Sequence, residues 1–226
     1  MRALLWKDYR VSRGVLLLGV ALLLGPYGAV VAAGLYEHWP SWPPAAEWAA
    51  LLLTGSRFSL GLSQLALVTL AGNSIAAERA DRSAEFLAYL PPSRVRVLAS
   101  KVLLVLLVAA VTWAVNLFIA DVVAPALGTP VVIPADDLVP RSVLAAAAVM
   151  LFGAAWLGSA LLESPAIATM VGIGATLAAP FLLMMMLSLF ALPGDDFKRW
   201  NIITCLTLGT LGFVGGSVYY LRRVEP

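Results

Sequence analysis

The 226 residues are 61% hydrophobic and only 12% charged, with a mean hydropathy of +0.91. A soluble domain carries roughly 45–50% apolar and about 25% charged residues, so no soluble fold has enough interior to hide this chain. The net charge of +2 excludes the broad basic surface of a nucleic-acid binder, and the position of each cation becomes more informative than their sum.

A bilayer crossing needs about 20 apolar residues. Runs of that kind lie at 14–36, 51–77, 98–120, 143–162, 166–192 and 203–221. They predict an all-α membrane protein of six transmembrane helices forming one compact membrane domain over 1–226, each span satisfying its own backbone hydrogen bonds. The basic start followed by an apolar stretch resembles a signal peptide, but that stretch exceeds the roughly 7–15 residues of such a segment, and it is kept as the first span. With the N-terminus in the cytoplasm, the inner segments hold Arg2, Lys7, Arg10, Arg13, Arg79, Arg82, Arg94, Arg96, Lys101, Arg222 and Arg223. The outer segments hold Arg141, Lys198 and Arg199. That bias places both termini inside.

Between the first two spans, Trp39, Trp42 and Trp48 alternate with Pro40, Pro43 and Pro44, an aromatic belt at the outer interface broken by turns. Inside the second span Arg57, Gly61 and Gln64 share one helical face. A charged residue within a span faces protein or a water-filled cavity, so Arg57 and Gln64, with Asn116 of the third span, are the candidates for lining a substrate pathway. The alternative is that Arg57 reaches to the interface while Gln64 and Asn116 bond neighbouring helices.

The next segment runs from Glu78 to Leu90 and stops at Pro91-Pro92. Glu78 and Arg82 are an i, i+4 pair, and Phe86, Tyr89 and Leu90 share an apolar side, which predicts a short amphipathic helix over 78–92. The prolines end it, and Ser93 caps the helix entering the third span. Farther on, the prolines of 121–142 forbid a long helix there. Glu163, Ser164 and Pro165 are all that joins the fourth and fifth spans, which forces an antiparallel pair. Gly212 and Gly216 in the sixth span make a small-xxx-small step for close packing. Cys205 is alone, so no intrachain disulfide forms, and packing is its role. Met184–Met186 point in different directions on a helix and do not converge on a metal. His38 is the only histidine, which leaves a zinc cluster or a serine–histidine dyad without material.

The order of residues from Ala76 to Arg94, with Lys101 downstream, resembles the signature loop of type-2 ABC exporter permeases. A Glu-rich helix there ends in a Leu-Pro-x-Ser-Arg-like turn and leads to a lysine at the head of the third span. The matching residues are Glu78, Glu85, Phe86, Leu87, Leu90, Pro91, Ser93, Arg94 and Lys101, and Leu4–Arg10 is similar to the family's interfacial elbow helix, expected over 1–13. Asp81 departs from the pattern, where many relatives carry a small residue. The resemblance covers the whole chain in layout and about thirty residues in detail.

The resemblance implies that 78–92 is a coupling helix seated on a cytosolic ABC ATPase, with Glu78, Arg82, Glu85, Phe86, Leu87, Leu90, Pro91 and Arg94 as its contact residues. It implies a second permease copy or a paralogue, a bacterial inner-membrane setting, and export of a lipid, peptide or amphiphilic drug by alternating access. The chain has no Gly-x-x-x-x-Gly-Lys-Ser/Thr loop, so it is expected to be no enzyme, with ATP and magnesium held by the partner and no cofactor or catalytic residue of its own. Membrane lipids are the remaining partners expected, and nucleic acid is not one. A channel, a structural membrane subunit, and an ABC permease that passes mechanical force to an outer partner are the alternatives.

Overall fold

The computed structural model describes residues 2–38, 40–80, 93–128, 140–189 and 197–223, and among these no strand occurs. The helices are α1 (Arg2–Glu37), α2 (Ala45–Ala80), α3 (Arg94–Phe118), a π-helical stretch (Ile119–Val123) leading into α4 (Ala124–Leu127), α5 (Arg141–Leu161), α6 (Pro165–Leu189) and α7 (Phe197–Arg223). Six segments are long and apolar enough to cross a membrane, α3 and α4 counting as one. This is the all-helical character of a multi-pass membrane protein.

The boundaries differ from the sequence reading for local reasons. Residues 2–13 are not set apart as an elbow; they are the opening turns of α1, which runs on without a break to Glu37. No proline or glycine falls between Arg2 and Arg13 to interrupt it. At the other end of the first connection α2 begins at Ala45, with the Trp48 amide donating to the Pro44 carbonyl at 3.2 Å. Trp48 is therefore helical, since prolines are tolerated where a helix starts. The third span also outlasts its expected end at 120. Pro125 falls directly after the π-helical stretch, at the start of α4, and Gly128 at φ 148° stops the helix. The rest of the proline-rich outer connection, 129–139, and most of the last one, 190–196, lie outside the described residues.

The chain divides into two compact units. The first comprises Met1–Arg13, Leu67–Val105 and Pro140–Pro226, and its core is built on glycine. A Cβ on Gly153 of α5 would collide with the Gly209 carbonyl of α7, one on Gly209 would lie 2.5 Å from the Val149 carbonyl oxygen, and one on Gly212 2.7 Å from that of Gly153. The paired positions rise together, so α5 and α7 run parallel, as spans four and six must. Gly158 meets Ala168 and Gly172 meets Ala155; these indices run oppositely, so α5 and α6 are antiparallel across the short turn 162–164. Trp156, wholly buried, packs on Phe152 and Phe213 with ring centroids 5.4 and 5.6 Å away. Its indole N–H donates to Ser217 Oγ at 3.1 Å, which satisfies the polar end of an otherwise apolar anchor.

The second unit comprises Gly14–Ala66 and Leu106–Val139. Here α1 and α2 run antiparallel, with Gly34 against Leu51, Gly55 against Val30 and Tyr27, and Gly19 against Ala66. Ser59 Oγ donates to the Leu23 carbonyl at 2.7 Å. Large apolar side chains such as Leu17, Leu107, Phe181 and Leu182 are exposed, the arrangement expected where the surrounding solvent is lipid rather than water.

Candidate functional site

Within the first unit, three helices bring ionised groups together. Helical spacing turns Lys7, Asp8, Val11 and Ser12 of α1, Leu70, Asn73, Ser74, Ala77 and Glu78 of α2, and Lys101, Leu104 and Val105 of α3 to a common cavity of about 150 Å³. Lys101 Nζ lies 2.9 Å from Glu78 Oε1 and 3.7 Å from Asp8 Oδ1, and it donates to the Ser74 carbonyl. Lys7 bonds Glu78 Oε1 and lies 3.7 Å from Asp8 Oδ1. Ser100 Oγ donates to Asp8 Oδ2 at 2.7 Å. Two cations thus meet two carboxylates, and the side chains of Asp8, Glu78 and Lys101 are 5–9% exposed. Removing one member of such a group leaves an uncompensated buried charge, which costs about 3–5 kcal/mol.

The neighbouring residue acts in the opposite direction. Arg79 donates to the carbonyls of Ser159 and, at 2.8 Å, Leu162, so a cation closes the last turn of α5, where orphan carbonyls and the helix dipole favour positive charge. Ser159 Oγ in turn accepts from the amides of Ile75 and Ala76, both at 2.9 Å. Consecutive residues of α2 therefore tie its end to two sets of helices: Glu78 to α1 and α3, Arg79 to α5 where it turns into α6.

Glu78 belongs to the last turn of α2 and is 7% exposed, with Lys7 and Lys101 of its own chain against its carboxylate. Arg94 opens α3 and is exposed, free to meet another molecule. Arg82, Glu85, Phe86, Leu87, Leu90 and Pro91 fall in 81–92, outside the described residues.

The candidate pathway residues lie in the second unit. Asn116 is 1% exposed; its Oδ1 accepts from the Tyr27 hydroxyl at 2.8 Å, its Nδ2 donates to the Thr112 carbonyl at 2.8 Å, and its own carbonyl accepts from Ser56. This is the interhelical role among the alternatives. Gln64 donates to the Leu60 carbonyl of its own helix at 3.0 Å, while its Oε1 is buried without a hydrogen bond. Arg57 is partly buried, and Gly61 between them opens on free space.

Sequence reasoning missed Asp8 and the pairing of Lys7 with Asp8 and Glu78. A signal was present: Lys101 lies seven residues inside α3, and an ammonium that deep requires a counter-charge. Which acid supplies it depends on helix pairing, which spacing along the chain does not reveal. Among the described residues no group of three or more His, Cys, Asp or Glu side chains is placed to hold a metal. Compared with protein-family models, with curated proteins and with solved structures, the chain has no match.

Proposed function

We propose that this chain is the membrane-spanning permease subunit of an ATP-driven ABC transporter, worked by a separate cytosolic ATPase that docks on residues 78–92 and Arg94, and exporting a lipid, peptide or amphiphilic drug. The resemblance of Ala76–Lys101 to the permease signature supports the reading and a bacterial inner membrane, as do the six spans, and the positive-inside distribution supports two cytoplasmic termini. The observation that carries it is the double anchorage at the end of α2. The segment that would meet a motor begins at Glu78, and the side chains of Glu78 and Arg79 reach α1 and α3 on one side and the α5–α6 turn on the other. A push on 81–92 would be distributed to most of the spans. Rocking between inward and outward states then requires that ATP favour one state through the partner.

Co-purification tests the docking surface. The double variant Arg82→Glu, Glu85→Arg is expected to release the ATPase while the permease remains in the membrane; an ATPase retained at the wild-type ratio removes this interface from consideration.

A further inference from the structure

The cavity beside the ion cluster is lined by polar and apolar side chains, and its hydrogen-bonding capacity is not exhausted. Lys101 donates to Ser74 and Glu78 and lies 3.7 Å from Asp8, an ion pair without a hydrogen bond. Lys7 donates to Glu78 and lies 3.7 Å from Asp8; its side chain is 32% exposed, and its ammonium has N–H groups to spare. The Asn73 amide and the Ser12 hydroxyl also line the space, and neither side chain has a hydrogen-bond partner among the described residues. The remaining groups are therefore an ammonium, an amide NH₂ and a hydroxyl, a donor set that suits a phosphate oxygen. Asp8 and Glu78 are neutralised by the two lysines, so an arriving anion meets no uncompensated negative charge.

Val11, Leu70 and Leu104 add apolar lining to the same cavity, and Val11 is 60% exposed. The depth fits as well. A 36-residue helix such as α1 is about 54 Å long against a hydrocarbon core of about 30 Å, so residues within a few turns of its end lie at headgroup level. A volume of about 150 Å³ equals that of an engineered cavity that accepts benzene, enough for a phosphate with part of its glycerol. We infer that this cavity binds the phosphodiester of a membrane phospholipid, with Lys7, Asn73 and Ser12 on the phosphate oxygens and an acyl chain leaving past Val11.

The test uses the whole purified chain in detergent and needs no ATPase, so its result is separate from the transporter reading. Unfolding midpoints are measured with added phosphatidylglycerol, with diacylglycerol of the same tails, and with inorganic phosphate alone. Phosphatidylglycerol is expected to raise the midpoint by several degrees and the other two to leave it unchanged. Asn73→Leu, and separately Ser12→Ala, should each weaken the lipid effect roughly tenfold in apparent affinity, the loss expected for one hydrogen bond to a charged group. Equal stabilisation by diacylglycerol would mean that only the tails are recognised, and a matching effect of free phosphate that only a small anion is held. Either result, or an undiminished lipid effect in both variants, overturns the inference.

Discussion

At the scale of single residues, the cluster of Lys7, Asp8, Glu78 and Lys101 makes a quantitative demand. Its charges cancel only as a set, so Lys101→Met leaves two carboxylates sharing one partly exposed lysine. A loss of about 3–5 kcal/mol follows, seen as a fall of roughly 10 °C in the unfolding midpoint. Adding Glu78→Gln to that variant restores neutrality, and the double variant should be more stable than Lys101→Met alone. Additive losses would show that the groups are not coupled. Glu78 has the i, i+4 spacing of a pair with Arg82, and the fold also places it against cations on two other helices, where the attraction is less screened.

At the scale of helices, glycine sets the architecture of the first unit. Close approach of α5 and α7 requires that Gly153, Gly209 and Gly212 have no side chain, because a Cβ there enters the facing backbone and not a movable side chain. Gly209→Leu is therefore expected to destabilise by at least about 2 kcal/mol. Gly174→Leu on α6, where nothing lies within 4 Å, should stay within about 0.5 kcal/mol of wild type. Thermal unfolding of the two variants side by side checks this, and equal responses would contradict the parallel α5–α7 contact. The glycine spacing of the sixth span was legible in the sequence, whereas its partner was not. The fourth span holds Gly153 and Gly158, and nothing in a one-dimensional pattern marks Gly153 as the residue that Gly209 and Gly212 face.

At the scale of the molecule, the orientation proposed from charge placement is open to direct measurement. In a Cys205→Ser background, a membrane-impermeant maleimide should label Ser41→Cys in intact cells and Ser93→Cys only after permeabilisation; both positions are exposed, and the reverse pattern would invert the topology. The number and rough extent of the spans were set by the sequence alone, since a run of about 20 apolar residues has one low-energy fate in a bilayer, and it needs no neighbour to satisfy its backbone. Cation placement likewise carries its meaning along the chain. Tertiary structure decided which helices face one another. It thereby decided that Lys7, Asp8, Glu78 and Lys101 form one neutral group, that Arg79 closes α5, and that Asn116 is held by Tyr27 and Ser56. These contacts join residues as far apart in sequence as Asp8 and Lys101, and their strength comes from proximity in a low-dielectric interior, a quantity that no local spacing encodes.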